Sequence, residues 1–223
     1  MDIINSQVFN GYKVQSQKGD LIENILIKNE QVLAQMLQHH KRIAAFRFEL
    51  KFPSGYRGDV DIISKFFDSL RERLKSDLRV KTRKKKRTVN SELGYVWVKE
   101  VSANHGWHYH VVMFLNHDVY NCFGMINGPN TNMYSRILSS WASAIGITPM
   151  SAIGLVHVSK NPVYKLDVNS ESIVDDMHVV LHRISYFAKV KTKPYGGGQY
   201  NRFFGTSKID KKNELTYASP NWL

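Results

Sequence analysis

Two imidazoles stand two residues apart in the run Trp107-His108-Tyr109-His110-Val111-Val112. In an extended strand, residues i and i+2 point to one face. His108 and His110 can therefore grip a single divalent ion. Val112 and Phe114 continue that face as apolar residues, which puts the pair at the polar end of a buried surface. With nine histidines in 223 residues, such a pair also arises without a ligand role. Glu100 is the natural third ligand, and its side depends on the turn between the strands. A two-residue turn at His105-Gly106 pairs Asn104 with Trp107 and sends Glu100 to the wrong face. A three-residue turn, His105-Gly106-Trp107, pairs Asn104 with His108 and sets Glu100 against Val112, on the histidine face. Glu49, on an earlier strand, is the reserve ligand.

A second group lies in His182-Arg183-Ile184-Ser185-Tyr186-Phe187-Ala188-Lys189. On a helix, Tyr186 and Lys189 are i and i+3, so the ammonium can stand beside the phenol. Tyrosine is a poor nucleophile at its usual pKa of about 10. A neighbouring lysine and a metal-bound phosphate make its phenolate easier to form and stabilise charge on the attacked phosphate. Ile173, Met177, Val180, Leu181, Ile184 and Ala188 mark the apolar side of this helix, and Tyr186 falls roughly on the other. A surface tyrosine on a basic helix fits the same pattern. The apolar side must meet the sheet while Tyr186 reaches a metal held on it, which only a helix at the sheet margin satisfies.

The elements that must position these groups are legible in outline. Leu21, Ile25, Val32, Met36 and Leu37 predict a helix from Asp20 to Arg42, with Asp20 as its N-cap. Phe46, Phe48, Leu50 and Phe52 alternate with Arg47, Glu49 and Lys51, which predicts a strand over 43–52 closed by Pro53-Ser54-Gly55. A helix follows from Asp59 to about Leu78. Strands are expected at 95–101 and 107–115, and a helix from Asn130 to Ile145 ending at Gly146. A short strand from Ala152 to Ser159 and a helix from Ile173 to about Lys191 complete the order. Residues 1–19 read as irregular, and the chain from Gln199 as a loop or irregular edge. One hairpin, with helices between the other strands, predicts an α+β fold with an antiparallel sheet and no boundary between separate domains.

Lys and Arg number 31 against 19 Asp and Glu, a formal net charge of +12. So much positive charge at this length points to a polyanion. Seven of the nine residues Arg79-Val80-Lys81-Thr82-Arg83-Lys84-Lys85-Lys86-Arg87 are basic. Placed between a helix and the first hairpin strand, this run is expected to be mobile, and contact with DNA phosphates is its expected role. Tyr200-Asn201-Arg202-Phe203-Phe204 interleaves aromatics with a cation, as base stacking requires, although core packing explains Phe203 and Phe204 equally well. A single cysteine, Cys122, excludes an internal disulfide and a CxxC zinc ribbon and points to a reduced compartment. No stretch approaches the roughly 20 apolar residues of a membrane span, and the first residues lack a signal-peptide pattern.

Together, His108-Tyr109-His110 and Tyr186-x-x-Lys189 resemble the HUH endonuclease superfamily of rolling-circle initiators, relaxases and related transposases. Glu100 resembles the third metal ligand of viral rolling-circle initiators. The closer resemblance is to the inovirus-type replication proteins of phages and prophages. It rests on Arg47-Phe48-Glu49-Leu50-Lys51-Phe52-Pro53, Gly106-Trp107-His108-Tyr109-His110, Ser185-Tyr186-Phe187-Ala188-Lys189 with Thr192-Lys193, and Phe204-Gly205-Thr206-Ser207. Tyr109 is bulkier than the aliphatic residue usual between the histidines.

The resemblance implies a central antiparallel sheet of about five strands flanked by helices, RRM-like or ferredoxin-like. It divides the chain into an N-terminal segment and helix, 1–42, an endonuclease domain, 43–207, and a tail, 208–223. It implies Mg²⁺ or Mn²⁺ held by His108, His110 and Glu100, attack by Tyr186 on single-stranded or locally melted DNA, and a 5′-phosphotyrosine link, with Lys189 orienting or neutralising. Arg79, Lys81, Arg83, Lys84, Lys85, Lys86, Arg87, Lys193 and Arg202 are the expected DNA contacts. The 223 residues hold no helicase or primase module, so replication would borrow a host helicase and polymerase in the bacterial cytoplasm. A nickase aimed at competing DNA, a mobilisation or transposition enzyme, and a DNA-binding regulator with a lapsed site are the alternatives.

Overall fold

The computed structural model describes residues 2–56, 61–102, 106–126, 131–193 and 202–210. Five strands form one antiparallel sheet: β1 (Arg42–Lys51), β2 (Gly94–Ser102), β3 (Gly106–Asn116), β4 (Val156–Asp167) and β5 (Phe204–Thr206). Their order is β4-β1-β3-β2-β5. The helices are α1 (Glu23–His39), α2 (Ile62–Lys85), α3 (Met133–Ile145) and α4 (Ile173–Ser185). With α2 and α3 in the crossovers, β1-α2-β2-β3-α3-β4 is the expected ferredoxin-like arrangement. No described helix is long and apolar enough to cross a membrane.

The period of two separates the faces. Phe46, Phe48, Leu50, Trp97, Tyr109, Val111 and Met113 pack with α2 and α3. Ile43, Ala45, Val96, Val98, Val112 and Phe114 pack with α1 and α4. Tyr109, the bulky residue between the histidines, thus belongs to the α2/α3 core, edge-on to Trp97 and Trp141. Both faces are covered, so the histidine face is roofed by α1 and α4.

Several boundaries depart from the expectation. Asp20 is no N-cap: Leu21–Ile22 pair with Ile3–Ile4, and α1 starts at Glu23 without a side-chain cap. Residues before it are partly ordered, with Val8–Phe9 pairing Tyr12–Lys13 across Asn10 (φ 43°) and Gly11 (φ 85°). Two positive φ angles in succession are what a twisted two-residue hairpin requires, and Asn-Gly supplies them. Helix α2 does not stop at Leu78 but continues through Lys85, and Lys86 closes it in the left-handed region. The basic run is therefore helical rather than mobile over most of its length. Arg and Lys are good helix formers, and Arg83, Lys84 and Lys85 complement the dipole at its C-terminus.

Strand β4 runs to Asp167 rather than ending at Ser159. Its pairing to β1 jumps from Phe48↔Val158 to Phe46↔Val163. Residues 159–162 bow out there, with Asn161 at φ 53°. Lys160-Asn161-Pro162 looks like a stop in sequence, but an edge strand tolerates it as a bulge. Helix α4 ends at Ser185, and Tyr186–Ala188 form a 3₁₀ turn. Phe204–Thr206 pair with Val96–Val98, so the expected irregular edge is a strand. Tyr200 and Asn201 lie outside the described residues.

Candidate active site

The register puts Glu100 opposite His108 and closes Ser102 against Gly106. That pairing leaves three residues between the strands, 103–105, which lie outside the described residues, where the two turns expected from the sequence were 105–106 and 105–107. Glu100 therefore faces His108 rather than Val112. The face is unchanged, because both registers differ by an even number of residues.

Glu100, His108 and His110 are buried, at 1%, 6% and 4% exposure. Their ligand atoms all lie within 4.8 Å of one another. His108 Nε2 is 3.3 Å from His110 Nε2, which is 3.4 Å from Glu100 Oε2. Bonds of about 2.1 Å to one ion set neighbouring donors about 3.0–3.4 Å apart, so the two separations at His110 match those of ligands on one divalent metal. His108 Nδ1 lies 3.1 Å from the Gly106 carbonyl, which can only accept. Nδ1 therefore carries the hydrogen and Nε2 keeps its lone pair for the site. Glu49, opposite His110 on β1, reaches its other nitrogen: Oε1 to Nδ1 is 3.3 Å, a charge contact without hydrogen-bond alignment. The reserve ligand thus stands behind His110 rather than beside it.

Protonation states match the ligand role. Burial pushes Glu100 up, but contact with His110 and the Lys193 charge outweigh it and hold the carboxyl well below its usual range. Burial opposes ionisation of Glu49 too, yet His110 brings it down to about 2. Burial and the neighbouring His110 push His108 below its usual value, towards the neutral form that ligation needs.

Tyr186 opens the 3₁₀ turn, half-buried, its ring 5.4 Å from His110 and edge-on. Lys189 Nζ donates to its hydroxyl at 2.6 Å and lies 3.5 Å from Glu100 Oε2. This removes the conflict between the apolar side of α4 and Tyr186: the helix packs on the sheet, then ends, and the tighter turn swings the phenol to the histidines. Buried side chains from distant segments force that ending. Gln15 Nε2 donates to the His182 carbonyl (3.0 Å) and to that of Arg183 (3.3 Å). Asn29 Nδ2 donates to the Ile184 carbonyl (3.2 Å). Sequence spacing carried no signal for these two residues.

Lys193, expected among the DNA contacts, is 5% exposed and donates to Glu100 Oε1 at 2.6 Å. Burial pushes its pKa down. The Val101 amide holds the Thr192 carbonyl and so fixes Lys193 beside β2. Arg202 lies over the Trp97 ring at 5.4 Å. Lys81 pairs with Asp77 at 3.1 Å. Arg79 and Arg83 line a groove of about 890 Å³ with Met36, Leu74, Leu78 and Lys75. Gly94 also lines it. Six residues of strand separate Gly94 from Glu100, about 20 Å. The basic end of α2, with exposed Lys84, Lys85, Lys86 and Arg87, is therefore at the opposite end of the sheet from the histidines.

The sequence matches the family described as the YagK/YfjJ C-terminal domain over residues 4–207. The chain belongs to the YagK/YfjJ C-terminal domain family. Its relatives include the uncharacterized protein YagK of Escherichia coli K12, 31% identical over 193 residues, which cover 82% of this chain and 91% of YagK. Another is the uncharacterized protein YfjJ of the same strain, 32% identical over 154 residues, or 68% of this chain and 73% of YfjJ. Among solved structures, this member of the YagK/YfjJ family has a weak similarity to a viral domain. That domain is the N-terminal nuclease domain of minute virus of mice non-structural protein-1, which has Zn²⁺ in its active-site pocket. The match covers 82% of this chain and 77% of the viral one at a TM-score of 0.22 and 10% identity, too low to transfer chemistry or metal.

Proposed function

We propose that this protein is a metal-dependent, site-specific single-strand DNA endonuclease and strand transferase of the HUH type. The observation that carries the reading is the meeting of Glu100, His108 and His110 with Tyr186, whose hydroxyl is already held by Lys189. A Mg²⁺ or Mn²⁺ ion bound by Glu100, His108 and His110 would polarise the scissile phosphate. Tyr186 supplies the nucleophilic oxygen, and the Lys189 ammonium stabilises it as the phenol loses its proton. Attack at phosphorus forms the bond from Tyr186 to the 5′ phosphate and releases a 3′-hydroxyl. The aryl phosphodiester keeps the bond energy to rejoin a strand when that hydroxyl returns. Glu49 orients His110. In the cell, such an enzyme starts rolling-circle copying of a phage or prophage element in the bacterial cytoplasm, with helicase and polymerase drawn from the host.

Lys193 favours a second reading. Its ammonium already satisfies one oxygen of Glu100, as it would in a DNA-binding regulator with a lapsed site. Labelled single-stranded DNA run with the protein on a denaturing gel separates the two. An adduct that needs Mn²⁺ or Mg²⁺, is abolished by EDTA and is absent in Tyr186→Phe establishes the nuclease. DNA binding without cleavage leaves the regulator, and cleavage with no adduct means hydrolysis by water.

A further inference from the structure

Arg47 sits on β1 one pleat before Glu49, on the same face. It is 8% exposed, and its guanidinium lies 6.0 Å from the centre of the Phe187 ring. Its buried Nε has no hydrogen-bond partner, and no carboxylate forms an ion pair with it among the described residues. Arginine does not discharge by losing its proton, so this is a buried cation that Glu49 favours through its field but that no carboxylate contacts directly. Such a charge is costly to keep, and an apolar residue of similar volume is usually tolerated as well or better.

The surroundings add to the imbalance. The β1–β4 ladder skips Arg47, because residues 159–162 bow out between Val158 and Val163. Ser159, at the start of that bow, has a buried hydroxyl with no partner. Arg183, in the last turn of α4, also has a buried Nε with no partner. Burial and the positive field of Arg183 disfavour the Arg47 charge, and Glu49, Tyr164 and Tyr186 offset them only in part. Arg47, beside Phe187, and Arg183, one helical turn before Tyr186, each keep an Nε donor that no group in the fold uses.

We propose that Arg47 and Arg183 form a phosphate-binding site beside Tyr186 and Phe187, which takes the DNA phosphate next to the one held at the histidines. The proposal rests on the nuclease reading for its substrate but not for its test. Planar guanidinium donors suit phosphate oxygens. The site fixes the strand's position, so that a single phosphate meets Tyr186.

Arg47→Met keeps the volume and removes the charge. Thermal melting without DNA should show a midpoint equal to or above wild type. Binding is measured by fluorescence anisotropy, with a short single-stranded oligonucleotide and His110→Ala in both proteins so that cleavage plays no part. Affinity should fall at least about ten-fold, the equivalent of about 1.4 kcal/mol, and Arg47→Lys should recover part of it. A series of oligonucleotides carries one neutral methylphosphonate at each position in turn. One position should weaken binding to the Arg47 protein and have no effect on Arg47→Met. A lower melting midpoint with unchanged affinity in Arg47→Met overturns the proposal, because Arg47 would then be structural. So would a methylphosphonate profile identical in the two proteins. If the site binds as stated but the His110 protein makes no adduct, the nuclease reading fails and the phosphate site stands.

Discussion

Glu100 carries one histidine and two lysines on a single carboxylate, with Lys193 at 2.6 Å and Lys189 at 3.5 Å. Replacing it by Gln leaves two buried ammonium groups without a counter-charge. Breaking a buried pair in this way costs about 3–5 kcal/mol. Urea denaturation should show that loss in Glu100→Gln, and adding Lys193→Met should return much of it. A Glu100→Gln protein as stable as wild type would mean that the lysines do not depend on this carboxylate. Glu49 gives a second test at this scale. Its pKa is depressed from about 4.5 to about 2 on folding, so its stabilising contribution is full above pH 4.5. It is lost as the pH falls towards 2. Stability measured from pH 5 to pH 3 should therefore fall less steeply in Glu49→Gln than in wild type. Equal slopes would show that His110 does not hold the charge of Glu49.

Helix α4 ends where it does because Gln15 and Asn29 take the carbonyls of His182, Arg183 and Ile184. An amide lost there leaves buried carbonyls unsatisfied, at about 1–3 kcal/mol. Asn29→Ala should lower the rate of adduct formation at saturating DNA more than it weakens DNA binding, because it loosens the turn that aims Tyr186. Asn29→Gln should restore little, since its reach differs. Equal losses of rate and affinity would reduce Asn29 to a packing role. Elements of this kind mark the limit of what the sequence discloses. Strand parity was legible, so Glu100 fell on the histidine face even though the loop is 103–105 and not 105–107. Periodicity also found β1, β3, α1 and α3 within a few residues. It failed where tertiary contacts override local pattern: α2 continues past its last apolar residue on charged helix formers, and β4 passes through Asn161-Pro162 as a bulge. It also failed at the end of α4, which is set by side chains more than 150 residues away.

At the scale of the whole molecule, α2 carries a row of basic residues at the end of the sheet away from the histidines. Arg71, Lys75, Arg79 and Arg83 recur every four residues along one groove, a stripe of about 18 Å on α2. Arg71 pairs with Asp68 and Lys75 with Glu72 only on the exposed helix surface, where such pairs contribute little. Arg79 and Arg83 have no ion pair among the described residues. If the protein binds DNA as proposed, long DNA should use this stripe as well as the histidine site. Changing all four residues to Ala should weaken binding to every sequence alike and flatten its salt dependence, by up to about 0.7 per lost contact for a single strand. An unchanged slope would show that the stripe does not touch phosphates.

The same long-range contacts also fix a sequence of events in time. The Gln15 amide donates to the Ser185 hydroxyl across 170 residues of chain. At about 5–20 residues per second, a ribosome that has made Gln15 needs roughly 10–30 s to reach Ser185. Contacts so distant in the chain are also slow to form. Until they close, nothing ends α4 at the turn that brings the phenol to the imidazoles. Glu100, His108 and His110 are thus made well before Tyr186 and Lys189, and the five groups stand together only when the segment around Gln15 meets α4.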